Sequence, residues 1–181
     1  MDADPDLVLL HALQLGDQYA STAFLSRFRS SVYRYSQSIL NDRDEAEDAT
    51  QDVFELILSG KTSVRDVEHV RPWLLRVTRN RCLMMLRTRK DSRAAESADG
   101  LWEEKTPYDS AVETDIGTAI RLAVGRLKSE YREVIVLREY EDFTYEEIAR
   151  TIRMPVSTVK FRLFKAREAL AKLLAHLERE R

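Results

Sequence analysis

Carboxylate side chains crowd one short stretch of this 181-residue chain. Within residues 42–54 the acidic side chains are those of Asp42, Asp44, Glu45, Glu47, Asp48 and Asp52. Paired carboxylates serve general acid–base catalysis and the binding of hard cations. The histidines are scattered at His11, His69 and His176, and neither a GxxxxGK nor an HExxH motif occurs. We therefore predict no catalytic, cofactor-binding or metal-binding residues. Residues 42–54 are interpreted as an acidic helix face that docks on a basic partner.

Positive charge is concentrated in two other blocks of the chain. The net charge is −2, but residues 61–93 carry +7 and residues 148–181 carry +6. Residues 1–60 carry −7 and residues 94–115 carry −6. Two basic blocks separated by an acidic one predict two surfaces that bind polyanions. The alternative is a set of solvated helix faces with uneven charge.

The first basic block mixes positive charge with a flat apolar ring and an amide. Arg76, Arg79 and Asn80 lie close together in the sequence, and Trp73 precedes them. This mixture suits single-stranded or distorted nucleic acid, whose exposed bases stack on rings and are read along their edges. Trp73 also falls in the apolar stripe of its helix, so we expect it to be a core residue.

The second basic block follows a helix-capping pattern. Thr144-Tyr-Glu-Glu147 is a capping box, which predicts a helix that begins at Thr144. Pro155 marks a tight restart, and Ser157 or Thr158 is expected to cap the next helix. A short helix, a tight turn and a longer basic helix are the elements of a helix-turn-helix.

The long basic helix has an outward face that suits contact with DNA. With Val156, Val159 and Leu163 turned inward, the residues on or beside this face are Ser157, Thr158, Lys160, Phe161, Arg162 and Lys165. Arg and Lys contact phosphates or guanine edges, Ser and Thr contact either, and an aromatic edge touches a thymine methyl group. The alternative for the helix is an ordinary amphipathic helix on a bundle surface. The alternative for Phe161 and Phe164 is that they pack against residues 144–152 or contact a regulatory protein partner.

The spacing of apolar residues predicts helices almost throughout the chain. Apolar residues recur every three to four positions, and the low content of glycine (5) and proline (4) disfavours turn-rich β folds. One stripe runs from Leu25 to Ile39, and Asn41 with Asp42 predicts a break after it. A second helix is expected to stop near Gly60, and a third to begin near Pro72. The predicted fold class is all-α.

Residues 91–111 interrupt the helical period. They are polar and acidic, and Gly100 and Pro107 break them, which is typical of a linker. We therefore predict two small helical domains joined by an acidic linker. The predicted boundaries are residues 1–93, 94–112 and 113–181.

These motifs resemble those of the extracytoplasmic-function (ECF) group of bacterial sigma factors, in the sigma-70 family. Residues 39–54, which read Ile-Leu-Asn-Asp-Arg-Asp-Glu-Ala-Glu-Asp-Ala-Thr-Gln-Asp-Val-Phe, are similar to region 2. The run Trp73-Leu-Leu-Arg-Val-Thr-Arg-Asn80 is similar to the promoter-melting helix that follows. Residues 137–149 and 155–167 are similar to region 4. The resemblance covers nearly the whole chain, with its blocks in the family's order.

The resemblance implies a protein that binds core RNA polymerase and directs transcription initiation from promoter DNA. A region 2 bundle would bind polymerase and open the −10 element, and a region 4 helix-turn-helix would read the −35 element. The implied polymerase-binding residues are Asp48, Gln51, Asp52 and Phe54. The implied −10 residues are Lys61, Arg76, Arg79 and Asn80, and the implied −35 residues are those of the outward face of the long basic helix. An anti-sigma factor is the implied regulatory partner.

One position departs from the family pattern at the corner of the helix-turn-helix. The family usually has glycine where this chain has Arg153. We therefore expect Arg153 to adopt a left-handed backbone conformation, or the turn to have another shape.

Two other functions fit parts of the sequence. An ordinary helix-turn-helix regulator that binds duplex operators as a dimer accounts for residues 144–167, but not for the acidic helix or for residues 61–93. An adaptor that binds anti-sigma factors without contacting DNA would require the basic blocks to be buried or dispensable.

The remaining features bear on the compartment. Cys82 is the single cysteine, which excludes a disulfide framework and fits a reducing compartment. No apolar run approaches the roughly 18–20 residues that a membrane-spanning helix needs. We expect a cytoplasmic protein with no stable membrane insertion.

Overall fold

The computed structural model describes residues 4–62, 64, 67–96 and 115–179, with side chains described as far as residue 90 and again from 119 to 176. Every regular element within these ranges is helical, which confirms the predicted all-α class. The helices are α1 (Pro5–Gln14), α2 (Gln18–Leu40), α3 (Arg43–Leu58), α4 (Val70–Glu96), α5 (Asp115–Gly125), α6 (Ser129–Ile135), α7 (Tyr145–Ile152) and α8 (Val156–Arg179). A π-helical segment, Val136–Tyr140, continues directly from α6.

Two adjacent residues set the boundary between α2 and α3, as predicted. Asn41 ends α2 in the left-handed conformation, with φ of 54°, which asparagine adopts more readily than most residues. The Asp42 carboxylate accepts hydrogen bonds of 3.0 Å from the backbone N–H groups of Asp44 and Glu45 and so caps α3. Helix α3 then ends close to the predicted stop at Gly60.

Helix α1 is not predicted by the apolar spacing. The Asp4 carboxylate caps it by accepting a 2.9 Å hydrogen bond from the N–H of Asp6, and Pro5 takes its first position. Leu10 and Leu13 are its buried residues. A helix of ten residues offers few apolar repeats, so its capping residues are the stronger sequence signal.

Helix α4 is longer than predicted at both ends. It begins at Val70, two residues before Pro72, and continues to Glu96, three residues into the segment predicted as linker. The rest of that predicted linker, residues 97–112, lies outside the described residues. Trp73 is buried in the core, which confirms its expected place.

Helices α7 and α8 form the predicted helix-turn-helix. The Thr144 hydroxyl accepts a hydrogen bond from the Glu147 N–H at 3.2 Å, and the Glu147 carboxylate accepts one from the Thr144 N–H at 2.7 Å. The capping box is therefore confirmed. Partial burial raises the pKa of Glu147, but the hydrogen bonds from Thr144 outweigh it, so the net shift of this pKa is downward.

The turn between these helices confirms one prediction and corrects another. Arg153 adopts the left-handed conformation, with φ of 56° and ψ of 52°, which is the first of the two outcomes expected. Helix α8 begins at Val156, so the predicted cap at Ser157 or Thr158 is wrong. The carbonyl of Pro155 accepts a 3.0 Å hydrogen bond from the Thr158 N–H, which places Thr158 inside the first turn.

The core consists of two clusters of buried side chains. The first cluster joins helices α1 to α4, through Leu10, Phe24, Val53 and Leu74 among others. These four side chains are each fully buried. The N-terminal half of the chain is therefore a four-helix arrangement with its own apolar centre.

The second cluster joins the two halves of the chain. Tyr35 on α2 and Cys82 on α4 are buried together with Val134, Leu137 and Ile148 from the C-terminal half. Helix α2 packs on α6 and on the π-helical segment, and α4 packs on α7. The two predicted domains therefore share a continuous apolar core.

The left-handed residue at the end of α7 gives a test of the helix-turn-helix geometry. We expect Arg153→Gly to raise the free energy of unfolding by about 1 kcal/mol, because glycine has no Cβ to clash in this conformation. Urea denaturation at neutral pH measures the change. Arg150→Gly, at an exposed interior position of α7, is the control, and we expect it to lower the stability by about 1 kcal/mol. Equal destabilisation by both substitutions would contradict the left-handed turn.

Candidate nucleic-acid interface

The predicted acidic face lies on the surface of α3. Asp48 and Gln51 are exposed, and Gln51 donates a 2.8 Å hydrogen bond to the exposed Glu55 one turn further on. Asp52 is half-exposed and forms an ion pair with Arg81 of α4, whose Nε lies 2.8 Å from its Oδ2. The face therefore offers negative charge to solvent, and one of its carboxylates also ties α3 to α4.

Phe54 does not share this face, which corrects its predicted role. Its side chain is 4% exposed. The ring packs edge-on against Phe24 of α2, with ring centroids 6.3 Å apart. Because Phe54 is part of the core, it supports the shape of α3 from within and presents no surface of its own.

Helix α4 exposes most of the residues predicted to bind the −10 element. Arg76 and Asn80 are exposed and lie four residues apart, on one side of the helix. Lys61 is exposed in the segment that precedes α4. Arg79 differs from them, because its side chain is largely buried and contacts a carboxylate from the C-terminal half.

That carboxylate belongs to Glu133 of α6, which is itself buried. Its Oε1 accepts a 2.7 Å hydrogen bond from Arg79 Nε and a 2.9 Å hydrogen bond from the hydroxyl of Tyr35. Burial and the adjacent Glu133 charge raise the pKa of Tyr35 well above its usual value. Burial opposes the charge of Arg79, but Glu133 outweighs this and raises the arginine pKa. The three groups form a charged, hydrogen-bonded contact between α2, α4 and α6.

A second carboxylate, that of Glu141, forms a similar contact nearby. Glu141 follows the π-helical segment and is 1% exposed. It accepts hydrogen bonds from Ser31 Oγ at 2.6 Å, Arg34 Nη1 at 2.6 Å and Arg71 Nη2 at 2.8 Å. An ionised carboxylate is costly to bury unless charged and polar groups satisfy it. Glu141 therefore depends on α2 and α4 for its partners.

Glu133 and Glu141 are the buried contact residues between the halves that sequence reasoning missed. Residues 116–147 contain seven acidic residues, and nothing local marks these two as buried. The only available signal is the apolar run Val134–Leu137, which follows Glu133 and indicates a helix buried on several sides.

Helix α8 presents two exposed aromatic rings. Phe161 is 59% exposed and Phe164 is 64% exposed, whereas Val159 and Leu163 are buried. The predicted outward register is therefore confirmed, and the alternative in which both rings pack against α7 is wrong. Lys160 is exposed beside Phe161, with its ammonium 5.9 Å from the ring of Tyr145.

Arg162 is turned away from this exposed face, which corrects the prediction. Its side chain is only 16% exposed and forms a 3.2 Å ion pair with Glu130 of α6. Arg162 thus ties α8 to the rest of the C-terminal half. Ser157 is exposed, and Thr158 is half-buried.

Lys165 lies at the edge of the exposed face. Its Nζ lies 5.6 Å from the centroid of the Phe164 ring and 3.0 Å from a carboxylate oxygen of Glu168. Hydrogen bonds from Lys172 and from Lys165 lower the pKa of Glu168 to about 2. The exposed part of α8 therefore combines aromatic rings with both signs of charge.

The described residues offer no assembled site for catalysis by metal or thiol. Within those ranges, no group of three or more His, Cys, Asp or Glu side chains is placed to hold a metal ion. Burial raises the pKa of Cys82 to about 11, so its thiol stays protonated at neutral pH. No helix in the part of the chain that the structure describes is long and apolar enough to cross a membrane.

The buried contact of Glu141 gives a second test. We expect Glu141→Ala to lower the free energy of unfolding by roughly 2 kcal/mol, because it removes three hydrogen bonds between the halves while Arg34 and Arg71 regain water. The control is Glu139→Ala, which removes an exposed pair with Arg167 and should cost less than about 1 kcal/mol. Urea denaturation measures both variants. Equal losses would show that Glu141 does not stabilise the packing of the halves.

Two family models match the chain. The model for sigma-70 region 2 matches residues 24–92, and the model for sigma-70 region 4 matches residues 118–170. The first range contains α3 and most of α2 and α4, and the second contains α6, α7 and most of α5 and α8. The matches therefore cover both halves described above.

Relatives with established names match over nearly the whole chain. The RNA polymerase sigma-H factor of Pseudomonas aeruginosa is 26% identical, over 98% of this chain and 97% of its own length. The ECF RNA polymerase sigma factor SigM of Mycobacterium tuberculosis is 30% identical, over 95% of this chain and 86% of its own length.

Two solved structures are also similar to this one. The sigma factor RpoE of Bartonella quintana, in complex with the anti-sigma factor NepR, has a TM-score of 0.70 and 25% identity, over 85% of this chain and 96% of that one. CnrH, in complex with the cytosolic domain of CnrY, shares the fold with a TM-score of 0.68 and 24% identity, over 96% of this chain and 99% of that one. Family models, full-length relatives and fold agree: the chain belongs to the ECF group of sigma-70 family sigma factors.

Proposed function

We propose that this sigma factor binds core RNA polymerase and directs it to promoters by recognising −10 and −35 elements. The observation that carries the proposal is that one chain holds an exposed acidic helix, a basic helix and a helix-turn-helix in the family's order. A dimeric operator-binding regulator would need only the last of these. The protein would act in the cytoplasm, where the polymerase is.

The polymerase-binding surface is assigned to the exposed face of α3. Asp48 and Gln51 are its accessible members, and Asp52 contributes while it holds Arg81. Phe54 acts from the core by maintaining the position of α3. Exposed carboxylates attract a basic partner over long range and fix the register of docking.

The −10 element is assigned to α4 and the segment that precedes it. Lys61 and Arg76 would neutralise phosphates, and the Asn80 amide would make a two-point contact with a base edge. Arg79 would contact DNA only after its hydrogen bond to Glu133 breaks. Promoter melting needs such captured bases, because unstacking costs a few kcal/mol per base step.

The −35 element is assigned to the exposed face of α8. Ser157, Lys160 and Lys165 would contact phosphates and base edges, and Phe161 would contact a thymine methyl group. Thr158 lies beside this face in the first turn. Arg162 would contribute to −35 recognition indirectly, because its ion pair with Glu130 links α8 to α6.

The packed arrangement of the two halves is proposed as the resting state of the factor. In this state Glu133 is ion-paired with Arg79, and Glu141 is ion-paired with Arg71. Both arginines belong to the first basic block. Polymerase binding would separate the halves and release these cations to DNA. An anti-sigma partner, of the kind seen with RpoE, would then act by opposing this separation.

Run-off transcription with purified core polymerase tests the proposed function. We expect promoter-dependent transcripts when the chain is added, and at least about a tenfold loss with Asp48→Lys, because charge reversal at a docking surface weakens association. Glu139→Lys is the control, since it reverses an exposed charge in the π-helical segment, outside α3. Absence of transcripts from every promoter tried with the wild-type chain, or equal losses in both variants, would contradict the assignment.

The exposed ring on α8 gives a prediction for promoter choice. We expect Phe161→Ser to relax the preference at one −35 base pair, by the roughly 1–3 kcal/mol that a good base contact contributes. The melting temperature should stay unchanged, because the ring is exposed. Transcription from a library of −35 variants measures the preference, and thermal denaturation measures stability. A lowered melting temperature with unchanged preference would show that Phe161 is structural.

A further inference from the structure

A cleft of about 660 Å³ lies where the two halves of the chain meet. One wall is the side of α2 from Ser26 to Asn41, together with the start of α3. The other wall is the end of α5, with α6 and the π-helical segment. Cavities of about 300–1,000 Å³ at the junction of two units are the usual places for small ligands.

Arginine side chains dominate the lining of this cleft. They are Arg29, Arg34, Arg43, Arg121 and Arg132, and they come from α2, α3, α5 and α6. Among the described residues that line the cleft, only Glu47 carries a carboxylate, and it forms an ion pair with Arg29. Guanidinium groups bind phosphate through two parallel hydrogen bonds, and several of them together suit a polyphosphate.

Contacts within the protein hold two of these arginines in fixed positions. The Arg132 guanidinium donates hydrogen bonds to the carbonyls of Ser38, Gly125 and Leu127, at 2.6, 2.7 and 3.2 Å. Arg34 is fixed by Glu141. Groups that are already ordered lose little entropy when a ligand binds, which favours affinity.

Arg43 occupies an electrostatically unfavourable position in its own helix. It is the first residue of α3, where the positive end of the helix dipole disfavours a cation. It is also exposed and faces the cleft. Arg43 therefore places positive charge on the α3 side of the cleft.

The rest of the lining offers groups that suit a nucleobase. Tyr33 and Tyr140 present aromatic rings, and Gln37 and Asn41 present amides. Rings stack on bases, and amides pair with base edges. The cleft thus combines phosphate-binding and base-binding groups within a volume that fits a single nucleotide.

We propose that this cleft binds a nucleoside polyphosphate, with the phosphates against the arginines and the base near Tyr33 and Tyr140. Because both halves of the chain form the walls, the ligand stabilises the packed arrangement over the separated one. The inference rests on the cleft alone and is independent of promoter recognition.

Isothermal titration calorimetry of the full chain with GTP and ATP tests the proposal, at about 150 mM salt to screen weak ionic contacts. We expect saturable binding of one nucleotide per chain and a rise in melting temperature. Arg43→Gln and Arg121→Gln should each weaken binding at least about tenfold, as expected for the loss of a charge-assisted hydrogen bond. Arg126→Gln, at an exposed position outside the cleft, is the matched control and should bind like the wild type.

Three further results would overturn the proposal. The first is no saturable binding up to about 1 mM nucleotide. The second is binding unchanged by Arg43→Gln, a substitution at an exposed position that folding should tolerate. The third is equal or tighter binding of inorganic triphosphate or of an oligoglutamate peptide, which would assign the cleft to phosphate alone or to an acidic protein segment.

Discussion

The buried carboxylate of Glu141 is the contact on which the arrangement of the two halves depends. It comes from the C-terminal half, and all three of its side-chain hydrogen bonds come from α2 and α4. Without those partners the free energy of burying this carboxylate would be prohibitive, because an isolated charge in an apolar interior costs many kcal/mol. Glu133 repeats the arrangement with Tyr35 and Arg79. These polar contacts therefore add directional constraints to the apolar core that joins the halves.

The same interaction links the fold to its proposed function. Arg71 and Arg79 belong to the basic block that is expected to hold promoter DNA. In this structure both are ion-paired with buried carboxylates, those of Glu141 and Glu133. A carboxylate and a phosphate offer arginine similar oxygen pairs, so one can replace the other at modest net cost. The packing of the halves and DNA binding thus compete for the same cations. This competition is the basis of the proposed resting state, in which the packed halves withhold these cations from DNA until polymerase binds.

Local features of the fold could be predicted from the sequence, and long-range contacts could not. The capping box at Thr144 depends on neighbouring residues, so the local pattern indicated it, and the family's usual glycine at the helix-turn-helix corner indicated the left-handed Arg153. Phe54 was assigned to a binding surface by motif position, but packing places it in the core. Arg162 was assigned to an outward face by helical register, but it pairs with Glu130 of α6. The partners of Glu141 lie 70 to 110 residues away in the sequence, and no local pattern predicts contacts over such separations.

The central claim, that buried carboxylates hold the halves together until polymerase separates them, can be tested by a distance measurement. Spin labels at Ala23→Cys on α2 and Ala171→Cys on α8 would occupy exposed positions, while the native Cys82 is buried. Double electron–electron resonance should give one narrow distance for the free protein and a longer one with core polymerase. Glu141→Gln combined with Glu133→Gln should broaden the distribution without polymerase. An unchanged narrow distance in the substituted protein and in the polymerase complex would contradict the account.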